Sequence, residues 1–195
     1  GPEAFAIDIP TSWQQGRGAF GGLVLAILVR ALRATEPDAG RALRSLTAAL
    51  AGPVLPGPAQ LSLRELRQGN AVSTRAVELR QHEADSAAAE VLAHAVAVFG
   101  RARVSDRQRR ELAPPAVRPW YESPVLPIGP PMAPIFTQHC EFRPLAGMPF
   151  SGQSGAAPVL GWVRFRQPGP SWDEAELIAA VGTVSSGKSA LLNAL

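Results

Sequence analysis

A glycine-rich turn that runs directly into an apolar helix is the feature that most constrains the fold of this chain. The turn, WQQGRGAFGG, spans residues 13–22, and the alanine- and leucine-rich residues 23–35 that follow are good helix formers. Because apolar residues occupy nearly every position up to Val29, we expect a helix that is buried on most sides rather than along one face. Pro37 ends this helix, since proline cannot continue the hydrogen-bond ladder.

Strand-like segments surround the predicted helix. Residues 5–9 precede the glycine-rich turn, and further runs follow the helix at residues 43–51, 60–66, 72–81 and 86–99. The runs at 60–66 and 72–81 alternate polar and apolar residues on either side of a plausible hairpin turn, a pattern typical of antiparallel strands. The order of one strand, one helix and four strands predicts an α+β domain in which a single antiparallel sheet wraps the helix.

The second half of the chain begins a similar plan. Residues 101–134 are too dense in proline for central strands or helices and predict an extended linker. Strand-like runs resume at residues 135–142 and 158–166, and the acidic residues after Ser171 mark the start of a helix. The predicted organisation is therefore a first domain at 1–100, a linker at 101–134, an incomplete second domain at 135–181 and a tail at 182–195.

The net charge of +3 and the pI near 10 raise the question of nucleic-acid binding. The arginines are spread along the chain, and the one cluster, at residues 101–110, is interrupted by Asp106 and has no interleaved aromatic residues. This arrangement is typical of a solvated linker rather than of a phosphate-binding patch. We therefore expect no nucleic-acid partner.

Other features bear on the compartment and on metal binding. No apolar run approaches the roughly 18–20 residues that span a bilayer, and the N-terminal residues do not read as a secretory signal. The single cysteine, Cys140, excludes an internal disulfide and fits a reducing compartment. The three histidines, His82, His94 and His139, lack the short spacing of helical metal motifs. We expect a cytoplasmic protein with no membrane span and no metal site.

Several short motifs carry a family resemblance. The turn at residues 16–22, the residues 45–47 followed by 53–57, and the residues 66–69 with 72–74 are similar, in order and spacing, to the first domain of double-hotdog acyl-CoA thioesterases of the thioesterase-like superfamily. The resemblance implies a hotdog fold, an antiparallel sheet wrapped around a central helix, with a complete first hotdog and a partial second one. It also implies an acyl-CoA substrate and hydrolysis by an activated water, with no cofactor.

The glycine-rich turn contains the candidate site residues. Gly21 and Gly22, at the start of the buried helix, could present free backbone N–H groups to a thioester carbonyl, or could simply allow a tight turn and close packing. Arg17 could meet a CoA phosphate or lie on the surface. Trp13 and Phe20 are more typical of core or interface aromatics than of the walls of an acyl pocket, which is the alternative.

A complete catalytic set is not found in the sequence. The stretch at residues 152–156, GQSGA, lacks the final glycine of a nucleophile elbow, which argues against a serine hydrolase. Members of the resembled family place an active-site aspartate late in the second hotdog helix, but the helix predicted at 174–181 is followed by no carboxylate. Acidic residues elsewhere do not match that position; they include Glu141, Asp173 and Glu176. The catalytic base is therefore unknown.

Two readings of the domain follow from this gap. The chain is an acyl-CoA thioesterase whose missing part is supplied by a partner chain, or it is a non-catalytic acyl-binding or scaffold hotdog protein. In either case a single hotdog leaves a sheet edge or face that normally pairs with a second one. We therefore expect a homodimer whose small-molecule partner is acyl-CoA.

The tail at residues 182–195 suggests a third reading. It contains Gly182, Gly187, Lys188 and Ser189 in the Walker A pattern and resembles the phosphate-binding loop of P-loop GTPases. Lys188 is the only lysine of the chain, so the tail differs in composition from the rest. The chain could thus be a truncated P-loop nucleotide-binding fusion, although a P-loop also needs a parallel sheet and an acidic Mg²⁺ partner, which the sequence does not provide.

The third reading is tested by nucleotide binding. Because the tail lacks its usual surroundings, we expect no thermal protection of the chain by GTP or ATP with Mg²⁺ in a thermal-shift assay. Protection that is present in the native chain and lost in Lys188→Ala would contradict this expectation and support the fusion.

Overall fold

The computed structural model describes residues 3–82, 89–104, 116–146, 160–169 and 173–182. These residues fall into two compact units. The first contains the described residues within 1–103 and 171–195, and the second contains those within 104–170.

The first unit contains seven strands and two α-helices among its described residues. They are β1 (Glu3–Ile9), β2 (Gln14–Gln15), β3 (Gly18–Ala19), α1 (Gly21–Ala34), β4 (Arg41–Leu50), β5 (Gly57–Gln68), β6 (Val72–His82), β7 (Ala89–Arg101) and α2 (Glu174–Gly182). A short 3-10 turn at Thr11–Trp13 precedes β2. Five of the strands form one antiparallel sheet in the order β1-β5-β6-β7-β4, so that β1 and β4 are its edges. The predicted arrangement of strands and helix is confirmed.

Helix α1 is packed against the inner face of this sheet. Val24, Leu28 and Leu32 on the helix are almost completely buried, and Leu79 and Phe99 on the sheet are equally inaccessible. Each fully buried side chain of this size contributes about 1.5–3 kcal/mol of hydrophobic free energy. The helix is therefore the core of the unit, as its nearly continuous apolar sequence predicts.

The segment after α1 contains a buried ionic cluster that sequence analysis did not find. The Glu36 side chain is fully buried; its carboxylate accepts hydrogen bonds from Arg41 at 3.0 Å and from Arg75 at 3.4 Å, and a further bond from the Ser73 hydroxyl. Arg41 also donates to the carbonyl of Gly69 at 2.6 Å. Glu36 thus joins the end of α1 to the start of β4 and to β6, and Arg41 extends the cluster to the β5–β6 turn.

The charge of Glu36 is stabilised by these partners. Burial by itself raises the pKa of a carboxyl group, but the hydrogen bonds from Ser73 and from the Asp38 N–H, together with the charges of Arg41 and Arg75, more than offset it. The pKa of Glu36 therefore lies below its ordinary value of 4.5. A lowered pKa in the folded state contributes stability that is complete above the unfolded-state pKa and is lost as the pH falls through the folded-state pKa.

We expect Glu36→Gln to destabilise the protein by about 3 kcal/mol at neutral pH, because it removes the buried carboxylate that Arg41 and Arg75 share and leaves them only the more exposed Asp38 and Glu65. The free energy of unfolding of the variant should also fall less than that of the native chain as the pH drops below 4.5, because the variant has no Glu36 carboxylate to protonate. Urea unfolding at several pH values measures both effects. The control is Glu65→Gln, which removes a half-exposed partner of Arg75 and should cost less than about 1 kcal/mol. Equal losses in the two variants would contradict the prediction.

The second unit has a smaller sheet. Strands β8 (Cys140–Ala146) and β9 (Leu160–Phe165) pair in antiparallel fashion, and Leu126 forms a bridge to Phe142. Short 3-10 turns lie at Trp120–Glu122 and Ile135–His139.

The prediction of a strand at residues 135–142 is wrong before Cys140. Pro134 begins a 3-10 turn, and Thr137 stabilises it because both its N–H and its hydroxyl donate to the Pro134 carbonyl, at 3.0 and 2.7 Å. A Thr side chain that bonds the local backbone favours a turn over an extended strand. The alternation of polar and apolar residues does not reveal that the backbone here forms a turn instead of a strand.

Glu141 is an ion-paired residue of the small sheet. Its carboxylate accepts hydrogen bonds from Arg143 at 2.7 Å and Arg164 at 3.0 Å, and both guanidinium groups also lie over the Trp120 ring. The hydrogen bonds from Arg164 and Arg143 lower the pKa of Glu141. Glu141 is thereby held as a charged structural residue of β8.

Three further findings concern the described residues only. Cys140 is buried, and burial raises the pKa of its thiol to about 11, which keeps it protonated and unreactive. No group of three or more His, Cys, Asp or Glu side chains that could hold a metal ion occurs in the described ranges. Neither described α-helix combines the length and apolar character of a membrane-crossing segment.

Candidate functional site

The glycine-rich turn forms a small hairpin that leads into α1. Gly16 has a φ of 65°, a conformation that glycine adopts without strain, at the turn between β2 and β3. A Cβ atom on Gly18 would lie 3.0 Å from the backbone of Pro53 and Val54, so the hairpin approaches that loop closely. The Ala19 N–H donates to the Val54 carbonyl at 2.7 Å. The glycines thus fix the direction in which α1 starts.

Two of the candidate residues pack together behind this hairpin. The rings of Trp13 and Phe20 are stacked, with centroids 6.2 Å apart and an interplanar angle of 23°. The Phe20 N–H also donates to the Trp13 carbonyl at 2.8 Å. Phe20 is 2% exposed and Trp13 is half-buried. This pair of aromatic residues holds the start of α1 in place.

The N-terminus of α1 is not capped by a side chain. Phe20 occupies the cap position, and only its carbonyl takes part, accepting from the Val24 N–H at 3.2 Å. In the described part of the chain the amides of Gly21 and Gly22 have no acceptor. Such amides, together with the positive end of the helix dipole, favour a developing negative charge or a carbonyl oxygen.

The two glycines differ in their surroundings. A Cβ atom on Gly22 would lie 2.4 Å from the Phe20 ring and 2.6 Å from the Ala179 carbonyl of α2, so Gly22 is a packing position. A Cβ atom on Gly21 would meet only the Leu50 side chain, at 3.1 Å. Gly21 is half-buried, whereas Gly22 is buried. Gly21 is therefore the less crowded of the two positions, and its amide is the candidate donor.

Leu50 is a residue of this site that sequence analysis missed. It pairs with the buried Ala93, so its side chain lies on the inner face of the sheet, yet it is 50% exposed. The register of β4 against β7 shifts between Leu43 and Ser45, which changes the residues of β4 that face inward. A simple alternation of polar and apolar residues cannot reveal this shift.

Helix α2 runs antiparallel to α1 across the same unit. The first residues of α2 meet the C-terminal half of α1, where Asp173 lies 3.2 Å from Arg30, and Ala179 meets Gly22 at the other end. Gly22 and Arg30 are about 12 Å apart along the helix axis. The carboxylates at the start of α2 therefore lie at the opposite end of α1 from the free amides.

The remaining candidates are dispersed. Arg17 is exposed in the β2–β3 turn. Gly182 is the last residue of α2. Gly187, Lys188 and Ser189 of the Walker A pattern lie outside the described residues.

Part of the chain matches a known protein family. Residues 9–100 match the model of the acyl-CoA thioesterase N-terminal domain. This range contains the hairpin, α1 and nearly all of the five-stranded sheet. No curated protein shows a significant match to the sequence.

Solved structures resemble a larger part of the chain. A hotdog-fold protein of unknown function from Alicyclobacillus acidocaldarius has a TM-score of 0.79 at 24% identity, covering 92% of this chain and 64% of its own. A candidate thioesterase from Novosphingobium aromaticivorans has a TM-score of 0.71 at 17% identity, covering 93% of this chain and 68% of its own. Acyl-CoA thioesterase II TesB2 from Mycobacterium marinum has a TM-score of 0.61 at 21% identity, covering 94% of this chain and 65% of its own.

The chain therefore spans about two thirds of the length of these proteins. At such identities the likeness establishes the fold. The comparisons confirm the hotdog fold that the sequence predicts, and the likeness to acyl-CoA thioesterases resides in residues 9–100.

Proposed function

We propose that this chain is an acyl-CoA thioesterase-like protein that binds an acyl-CoA thioester and hydrolyses it with an activated water. The observation that carries the proposal is the uncapped start of α1, where the Gly21 amide lies beside the half-exposed Leu50 inside a hotdog sheet. The family match of residues 9–100 and the fold shared with a thioesterase support the same reading.

In this proposal the Gly21 N–H polarises the thioester carbonyl. Attack of water on the carbonyl carbon places negative charge on the oxygen, and the amide and the helix dipole stabilise that charge. The carbon–sulfur bond then breaks, CoA leaves as the thiol after taking up a proton, and the acyl group leaves as the carboxylate. Leu50 offers an apolar surface to the acyl chain, and the exposed Arg17 is available to a CoA phosphate.

The activated water needs a general base, for which we look to a second copy of the chain. The α2 carboxylates are ruled out by position, because they lie at the far end of α1. A second copy could pair along β4, since within the described residues this edge strand pairs only with β7. Residues 45–50 of β4 carry no charged side chain, and such an edge is a template for pairing. We therefore infer a homodimer that completes the site.

A second candidate function is acyl-CoA binding without hydrolysis. It is favoured by the position of Asp173, just before α2, and of Glu174 and Glu176 in α2. All three contact α1 or β4 away from Gly21, so none of them is placed to act as the general base. A hydrolysis assay with a medium-chain acyl-CoA and a thiol-reactive chromogen separates the two candidates. Turnover supports the enzyme, whereas acyl-CoA binding by calorimetry without turnover supports the binding protein.

The Gly21 amide can be removed with little structural change. Gly21 is the first residue of α1, where proline is well tolerated because the N–H has no helical acceptor. Phe20 before it has a φ of −52° and a ψ of 126°, which are compatible with a following proline. We expect Gly21→Pro to lower kcat by about 10²–10³, the usual effect of losing one oxyanion donor.

The matched control is Gly21→Ala, which adds a Cβ toward Leu50 but keeps the amide. It should retain most of the native kcat in the same assay. Equal activities of the proline and alanine variants would remove the amide from the mechanism, while circular dichroism verifies that both variants are folded.

The dimer is tested by light scattering on the native chain. The expected mass is that of two chains, and Thr47→Lys combined with Ala49→Lys on the exposed edge of β4 should give a monomer, because charged edge residues oppose strand pairing. Gln60→Lys, on the exposed surface of the inner strand β5, should leave the dimer intact. A stable native monomer would contradict the inference.

A further inference from the structure

We propose that Glu174 is a positioning residue that locks α2 against α1 and β4 and thereby sets the wall of the site at Gly21. The functional part of this inference rests on the proposed function above; the structural part does not. It concerns the described residues of the first unit alone.

The central contact is between Glu174 and the backbone of β4. The Leu43 N–H donates to the Glu174 carboxylate at 2.8 Å. Leu43 is the residue at which the register of β4 shifts against β7. A carboxylate that accepts a backbone N–H forms a charge-assisted hydrogen bond, which is stronger than a bond between neutral groups. Glu174 thus recognises a local irregularity of the strand rather than a surface charge.

Salt bridges add weaker support at the same end of α2. Arg33 lies 4.0 Å from Glu174, and Arg30 lies 3.2 Å from Asp173. The Arg30 side chain is 59% exposed, and exposed ion pairs of this kind contribute little. Among these polar contacts, the hydrogen bond to Leu43 is therefore the one that fixes the start of α2 against β4.

The far end of α2 depends on that position. Ala175, Ile178 and Ala179 are buried. A Cβ atom on Gly22 would lie only 2.6 Å from the Ala179 carbonyl oxygen, so α2 packs closely on Gly22. A slip of α2 by one residue would move it by about 1.5 Å and turn it by about 100°, so this close fit would be lost. Glu174 at one end thus determines whether the other end closes over the start of α1.

The consequence for the site follows from adjacency. Gly22, which α2 covers, is next to Gly21, whose amide the proposed mechanism uses. A displaced α2 would admit water to the N-terminal turn of α1 and would weaken the electrostatic effect of the amide. We therefore expect loss of the Glu174 contact to lower kcat more than it changes KM.

Amide hydrogen exchange of the full chain, measured by mass spectrometry, tests the structural claim without any substrate. Glu174→Ala should raise the exchange rate of residues 174–182 by about tenfold, because it removes a charge-assisted hydrogen bond, while exchange in β6 and β7 stays unchanged. Glu174→Gln keeps an oxygen that accepts the Leu43 N–H and should raise the rate by only about twofold to threefold. Arg30→Gln should change it by less than about twofold.

The outcomes are decisive in both directions. If Glu174→Gln and Glu174→Ala accelerate exchange equally, or if Arg30→Gln has the larger effect, ion pairing positions α2 and the proposal is overturned. If Glu174→Ala does not fold, Glu174→Asp replaces it, since the shorter side chain keeps the charge but withdraws the acceptor from Leu43, and it should exchange faster than Glu174→Gln.

The kinetic readout separates this inference from the proposed function. In a chain that hydrolyses acyl-CoA, kcat should fall in Glu174→Ala and recover in Glu174→Gln, with KM nearly constant. Absence of turnover in the native chain would contradict the proposed function but leave the exchange result as the test of the α2 contact. Accelerated exchange with unchanged kcat would show that α2 is positioned by Glu174 but does not shape the site.

Discussion

The two ends of α1, the helix enclosed by the sheet, are held in different ways. Its C-terminal end is followed by Glu36, whose buried carboxylate is held by Arg41, Arg75 and Ser73. These contacts fix the end of the helix to β4 and β6. Its N-terminal end has no capping side chain. The unit thus fixes one end of its central helix with charged side chains and leaves the other end without a side-chain cap.

The uncapped N-terminal end of α1 is held in place by packing. An uncapped helix terminus gives up a contact that would contribute about 1 kcal/mol, so its position must be held by other interactions. Burial of Val24 and Leu28 in the sheet and the stacking of Trp13 on Phe20 provide them. The amide of Gly21 is therefore held in position by packing, although it has no acceptor in the described part of the chain. A donor placed in advance is what electrostatic stabilisation of a reacting carbonyl requires.

The sequence predicts the parts of this structure that depend on local pattern. The apolar run after Gly22 gives the buried helix, and the alternation in 60–66 and 72–81 gives two central strands. It does not predict contacts between distant residues, such as that of Glu36 with Arg75, or local irregularities such as the shift of register near Leu43. The site combines both kinds of feature. Its amides could be proposed from the glycines alone, whereas its apolar neighbour Leu50 could not.

The two adjacent glycines have separate physical roles. Gly22 has no space for a side chain, because the Phe20 ring and the Ala179 carbonyl occupy it. A Cβ atom on Gly21 would meet only the flexible end of Leu50, and the Gly21 amide has no acceptor within the described residues. The packing of Gly22 brings α2 to the start of α1, and the openness of Gly21 leaves a donor beside that contact. Tight packing and the donor used in the proposed mechanism thus lie within one helical turn.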